Sequence, residues 1–412
     1  MMLMRSSPRD KIADICDKVS LSCICLTAFF LPISKGIIES LSILAIVSYV
    51  IRKIAQKSWP LKSFLNPPIV IYILICVFSI FTSSNIRISF RTFIGKTMQY
   101  VAFFWVVAET MSSKSRVKAF LYILFTSSLV LGIDGLYQYF TRHDFIRNRP
   151  IIFTDRIYAS FPTPNSFGCY LAAVIPFLLS FFFMKMRFRL SKIIYMSLFL
   201  LLFTCLLLTI SRGAWLAFLS SALFMSLWVN PLGIFLLILS IFIIATGPFY
   251  NPFLKERLSN FFNVFSGVSD VDRRYIWQAG WRMFASRPLI GVGIGTFMFN
   301  FKNFVNQDYR YSAAYAHNCY LQTASEIGII GLISFLSILV LFFYYGIKAL
   351  NTQVRDFYWH VLLACLATML GYCVQMGVDT TLYGLDLGLL FWLMLGLGVA
   401  SIKNITAQKI RI

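Results

Sequence analysis

The stretch LLLTISRGAWLAF, residues 206–218, sets a single arginine, Arg212, between two apolar runs. Residues 193–210 carry no charge before it, and residues 213–229 carry none after it. Each run is about as long as the 17–25 residues that a helix needs to cross roughly 30 Å of hydrocarbon. A guanidinium at bilayer depth costs about 2.5–3.5 kcal/mol on insertion scales. A charge at the junction of two such spans therefore calls for an anionic partner.

The pattern extends along the whole chain. Of 412 residues, 58% are hydrophobic and 13% charged, about half the charge of a soluble domain. Twelve apolar segments read as spans: 19–34, 36–51, 67–83, 92–110, 118–140, 166–184, 193–210, 213–229, 232–249, 318–346, 357–378 and 385–402. No ten-residue alternation repeats as a membrane barrel requires. The expected fold is all-α: one polytopic integral membrane domain over 1–412 with about twelve transmembrane helices. Two hydrophilic stretches are long, 141–165 and 250–317, and the second is expected to contain short helices. The first apolar run reads as a span rather than a cleavable signal.

Orientation follows from lysine and arginine placement. With the N-terminus in the cytoplasm, the inner connections hold clusters such as Arg52, Lys53, Lys57 and Lys62, or Lys185, Arg187, Arg189 and Lys192. The short outer connections after the first, seventh and eleventh spans hold only Lys35 and Arg212. Both termini are then cytoplasmic, and Arg212 shares the outer compartment with both long loops.

The formal charge is +21. In so apolar a chain this points to anionic lipid headgroups and lipid-linked pyrophosphates rather than nucleic acid. Nine cysteines, an odd number without a CxxC pair, form neither a disulfide frame nor a zinc site.

Four outer segments hold candidate chemistry. In AHNCYLQTASEIGIIG, residues 316–331, His317 and Asn318 open a span. At 100° per residue Gly328 and Gly331 fall about 20° and 40° from His317, a face of small residues that another helix can approach, with Glu326 opposite. A helix N-terminus favours neutral imidazole, the form a general base needs; a histidine that only caps the span fits as well. In SDVDRRYIWQAGWRMFASRPLIGVGIG, residues 269–295, Asp270 and Asp272 spell a DxD motif. Ser269-x-x-Asp272 reads better as a capping box for a helix running to about Ser286. Arg274, Gln278 and Arg282 share one face of it with Trp277, Trp281 and Phe284 alongside, as on a membrane-surface helix or an anion site. GVGIG, residues 291–295, lacks the third glycine and the strand of a dinucleotide loop; its glycines read as tight turns after Pro288.

In TDRIYASFPTPNSFG, residues 154–168, the prolines stiffen the approach to a span, Asn165 or Ser166 is placed to cap it, and Arg156 is placed to face a ligand or solvent. His143 and His360 have no evident partners. Among the few acids near spans, Asp379 in GVDTTLYG, residues 377–384, is placed to orient a hydroxyl or to pair with Arg212 or another base.

In order and in shared sidedness, these segments resemble the O-antigen ligase and polymerase superfamily of bacterial envelopes. TISRGAWLA is similar to the family's arginine at the outer end of a middle span. RYIWQAGWRMFASRPLIGVGIGTF resembles its loop of Arg, Trp, Pro and Gly-rich turn. HNCYLQTASEIGIIG fits its pattern of His, then Asn, Ser or Gln, nine residues, and two glycines three apart. SFPTPNSFGCYLA is similar to its Pro-Asn segment before an upstream span.

The resemblance implies a GT-C-like glycosyltransferase in the bacterial inner membrane with a periplasmic active site. It implies inverting, metal-independent transfer, without a cofactor, from a glycan on undecaprenyl pyrophosphate to a sugar hydroxyl of lipid A–core. His317 matches the family's base. Arg212 and Arg274 match its pyrophosphate-holding arginines; Arg273 is adjacent, and the spacing to Trp277 favours Arg274. Arg156, Asn165, Asn318 and Asp379 are expected to contact substrate, and Asp386 competes with Asp379 for the family's late acid. A polymerase uses the same donor with a lipid-linked repeat as acceptor. A protein O-oligosaccharyltransferase often carries a larger outer domain. A flippase for lipid-linked sugars would more readily show two similar halves, and none is seen.

Overall fold

A computed structural model describes residues 8–59, 62–152, 156–185, 189–229, 268–306, 309, 314–352 and 355–411. The chain is helical throughout these residues, where β pairing is limited to an isolated bridge between His143 and Pro150. The helices are α1 (Pro8–Phe30), α2 (Lys35–Ala55), α3 (Asn66–Phe81), α4 (Ile86–Thr92), α5 (Gln99–Thr110), α6 (Lys114–Thr141), α7 (Pro164–Phe183), α8 (Arg189–Leu208), α9 (Arg212–Ser226), α10 (Val268–Ser286), α11 (Phe297–Phe304), α12 (Cys319–Leu350), α13 (Phe357–Met376) and α14 (Leu385–Arg411).

Their starts follow local chemistry. Ser34 caps α2, Asn85 caps α4 and Asp356 caps α13, each accepting a first-turn N–H. The cap of α7 is Thr163, whose Oγ1 accepts Ser166 N–H at 3.1 Å, and not Asn165 or Ser166. Pro164 fits the first helical position, where no N–H is needed, and so sets the cap at the residue before it.

Among the described residues six helices, α6, α7, α8, α12, α13 and α14, are long and apolar enough to cross a membrane. The chain is thus a multi-pass membrane protein. The expected span 232–249 lies outside the described residues. The other expected spans each coincide with helix, with two corrections to their form. Segment 92–110 is not one α-helix: Phe93–Met98 forms a π-helical turn between α4 and α5, and α3 has 16 residues.

The core centres on α13, which packs against α7, α9 and α14, while α14 also packs along α5. Where α9 crosses α13, Gly371 lies against Ala217 and Ser221, and Ser221 Oγ donates to Ala367 O at 2.7 Å. Small residues allow this close crossing, where apolar burial supplies little drive between helices in lipid. Trp215, Trp359, Tyr170 and Tyr372 are fully buried around it. His360 is also buried, its Nδ1 3.2 Å from Ser180 Oγ, so it has the partner that the sequence did not reveal.

The antiparallel run brings the α6 C-terminus, the α7 N-terminus, the α8–α9 turn, the α12 N-terminus and the α13–α14 link to one end. At the opposite end Arg52 bridges Asp17 and Glu109, Lys53 reaches Glu109 at 2.5 Å, and Arg116 pairs with Asp17. Those pairs tie α1, α2, α5 and α6 together.

Candidate active site

The α8–α9 turn begins the site. Ile210 has φ 49°, a left-handed conformation that is strained for a β-branched residue. It reverses the chain so that α9 starts at Arg212. Arg156 holds this turn: its Nε donates to Thr209 O and its guanidinium to Asn165 Oδ1, both at 2.9 Å. Arg156 and Asn165 therefore meet each other and brace the turn. A Cβ on Gly168 would lie 2.7 Å from that of Ala214, which keeps α7 and α9 in contact here.

Arg212 is half-buried at the first position of α9. That is the end of a helix whose dipole disfavours a cation. The next residue, Gly213, sits against the end of α13: a Cβ there would lie 2.8 Å from Val378 and 2.9 Å from Gln375. Arg212 is thus set beside the link that carries Asp379.

Asp379 Oδ1 lies 3.2 Å from His317 Nδ1. The histidine is 43% exposed and the carboxylate 19%, so the ring reaches solvent while its partner is covered. Burial pushes the Asp379 carboxyl up, but the His317 hydrogen bond and charge, the Thr380 N–H and the Arg273 guanidinium outweigh it and hold the group below its ordinary value. With Nδ1–H donating to Asp379, Nε2 is left as an acceptor. His317 stands just ahead of α12 with φ 47°, and Asn318 is the cap, its Oδ1 accepting Leu321 N–H at 3.0 Å. Asp386 lies apart, buried at the start of α14 with Oδ1 on its own Leu387 N–H at 3.0 Å.

Helix α10 ends at Ser286, as its sequence indicates; the side chains of Ser269, Asp270 and Asp272 lie outside the described residues. Trp277 Nε1 donates to Ala316 O at 2.9 Å, next to His317. One turn earlier on that face is Arg273, whose charge acts on Asp379. Arg274 is exposed, as are Gln278, Trp281 and Arg282. Trp277 is three residues from Arg274 and four from Arg273, so both arginines neighbour it on the helix surface, and it is the Arg273 charge that acts on Asp379.

The glycines of 291–295 are turn formers. Gly291, Gly293 and Gly295 all have positive φ, and a Cβ on Gly293 would lie 2.1 Å from Ser83 Oγ. Their segment docks into a break in α12. Gly328 has φ 70° and would place a Cβ 2.1 Å from Leu289 O, while Ile329 N–H donates to Pro288 O at 2.8 Å. The small-residue face expected of this helix therefore receives a loop, not another helix, because the helical phase is lost at Gly328.

Glu326, read from sequence only as lying opposite His317, is the tie between the pieces. The residue is 2% exposed. It accepts from Gly295 N–H at 2.7 Å, Phe297 N–H at 3.2 Å, Gln322 Nε2 at 3.1 Å and Tyr383 Oη at 2.9 Å. Gln322 in turn accepts Ala316 N–H at 3.1 Å. One buried acid thus fixes the turn after α10, the residue before His317 and the link after Asp379. A single buried Glu in a span is the signal that sequence reading passed over. Among the described residues no group of three His, Cys, Asp or Glu is placed to hold a metal ion.

Residues 197–336 match a family model described as O-antigen ligase. The chain carries an O-antigen ligase family domain. No curated protein matches the chain. The O-antigen ligase domain contains Arg212, Arg273, Arg274, His317 and Asn318, whereas Asp379 and the Arg156–Asn165 brace come from outside the matched segment and fold onto it.

Proposed function

We propose that the protein transfers a glycan from undecaprenyl pyrophosphate to a sugar hydroxyl of lipid A–core, at the periplasmic face of the bacterial inner membrane. The observation that carries this reading is the His317–Asp379 pair with arginines around it, inside and beside an O-antigen ligase domain.

His317 Nε2 takes the proton of the acceptor hydroxyl. The freed oxygen attacks the anomeric carbon from the face opposite the pyrophosphate, so the new C–O bond forms as the bond to the leaving oxygen breaks, with inversion. Asp379 holds the ring and stabilises the imidazolium that forms. Arg212 and Arg273 face the charge that grows on the departing diphosphate. Fixed guanidinium groups stabilise such growth without reorganising. The helix terminus adds to this: Ser211 makes no side-chain bond to the first turn of α9, and N–H groups at a helix start favour an anion. An anion therefore offsets both the insertion cost and the dipole cost of Arg212. Arg274 and Trp281, exposed on α10, suit a helix lying at the headgroup level.

The polymerase reading shares donor and layout and differs only in its acceptor. In a strain lacking this chain, loss of all long glycan from lipid A–core with lipid-linked polymer still made supports the ligase. Single repeats still attached to core overturn it in favour of the polymerase. Purified protein joining donor to acceptor in detergent without an energy source distinguishes either transferase from a flippase.

A further inference from the structure

A second site lies at the opposite end of the bundle, where α6, α7, α8 and α13 meet around an open cavity of about 270 Å³. Lys118 from α6, Lys185 just after α7 and Ser191 from α8 line it. Its lining includes no aspartate or glutamate. Lys114 and Lys118 lie 5.5 and 6.0 Å from the ring centre of Phe357, so both ammonium groups gather at one aromatic ring of the cavity wall. The rest of the wall is largely apolar: the Phe181 and Tyr195 rings stack at 5.9 Å, and Phe125 meets Tyr195 edge-on at 5.8 Å. Tyr122, at 62% exposure, continues this wall outward.

Two cations and an aromatic slot, among four membrane-long helices, make a two-part surface. A soluble phosphate would satisfy the lysines and leave the slot empty. A neutral lipid would fill the slot and leave the lysines unanswered. We propose that this cavity is a binding site for an anionic phospholipid, its phosphate between Lys118 and Lys185 and an acyl chain along Phe125, Phe181 and Tyr195. Basic pockets between spanning helices recognise acidic headgroups in this way. The four helices that such a lipid would clamp include α7, α8 and α13, whose other ends hold Asn165, the Arg212 turn and Asp379. The site is independent of the transfer reading, and its test needs no donor or acceptor.

The full chain, purified in detergent and delipidated, is titrated with phosphatidylglycerol and with phosphatidylcholine of the same acyl chains, and bound lipids are counted by native mass spectrometry. The wild type retains one phosphatidylglycerol more than phosphatidylcholine, and millimolar inorganic phosphate does not displace it. The Lys118→Ala/Lys185→Ala variant binds phosphatidylglycerol about thirtyfold more weakly, from about fivefold per lysine at a membrane surface, and Lys118→Arg/Lys185→Arg restores binding. Equal retention of the two lipids by the wild type, undiminished binding by the alanine pair, or displacement by inorganic phosphate overturns the proposal. The wild-type comparison stands even if the alanine variant does not fold.

Discussion

Replacing Asp379 with asparagine tests the proposed chemistry most sharply. The change preserves shape, and the neighbouring Thr380 N–H, 2.8 Å from Asp379 Oδ1, demands an acceptor at that position. The asparagine carbonyl therefore stays where Oδ1 was and still accepts from His317 Nδ1–H. The tautomer survives; only the negative charge is lost. That charge faces an imidazole that becomes cationic as the acceptor hydroxyl is deprotonated. Two unit charges about 4 Å apart interact by about 4 kcal/mol at an effective dielectric constant near 20. With His317 43% exposed, solvent screening reduces this by as much as half, so the barrier rises by about 2–4 kcal/mol. At about 1.4 kcal/mol per tenfold, D379N lowers the transfer rate by about 30- to 1,000-fold. The assay is single-turnover conversion of lipid-linked glycan on purified enzyme, repeated in an H317A background where D379N has no further effect. A D379N rate within threefold of wild type, or an undiminished loss on top of H317A, refutes the reasoning. The same pair predicts a pH dependence. Because the folded-state carboxyl lies below its ordinary 3.8, its ionised form stabilises the fold above that value and this contribution disappears as pH falls through the folded-state value. The unfolding-temperature gap between wild type and D379N is therefore full at pH 7 and pH 5 and closes below about pH 4.

R212A and R273A each cost about 10²- to 10³-fold in transfer, the usual loss of one fixed donor to developing charge, with membrane expression unchanged; R274A stays within about tenfold, measured in the same assay. Gly293→Ala lowers stability by about 1–3 kcal/mol, since its φ of 115° and the Ser83 hydroxyl both exclude a side chain. Gly36→Ala, with nothing within 4 Å, holds or slightly raises it, and thermal unfolding in detergent reads both. Glu326→Gln turns an amide N–H toward the backbone donors of Gly295 or Phe297, at about 1–3 kcal/mol. Transfer per folded molecule falls with it; a variant that is less stable yet fully active per folded molecule would show that Glu326 serves the fold alone.

Most of the helices were legible because lipid imposes one rule on every residue of a span: be apolar, or be paired. Runs such as 357–378 and 385–402 announce themselves by length. The π-helical turn at Phe93–Met98 does not, since an extra residue per turn leaves the composition of an apolar run unchanged. The break at Gly328 was hidden for a related reason. Its φ of 70° is set by the carbonyl of Leu289 from a distant loop, and a glycine in a span reads equally as a helix-packing surface.

The site divides along the same line. Arg212 and His317 stand out locally, as polar side chains at the ends of apolar runs. Their relations do not, because each is set by a segment far along the chain. Asp379 takes the ring of His317 as a partner beside the place where α9 meets the end of α13 at Gly213. The charge of Arg273 reaches Asp379 because Trp277 pins this part of α10 to Ala316, a contact with no signature in the order of residues. Glu326 explains why these pieces arrive together. A buried carboxylate with four donors drawn from three segments loses satisfaction if any one moves, and an unsatisfied buried acceptor is costly. The turn after Pro288, the approach to His317 and the link after Asp379 are thus fixed jointly: positioning in this protein is a property of one hydrogen-bonded carboxylate behind the site, while the reacting groups in front of it stay open to the membrane surface.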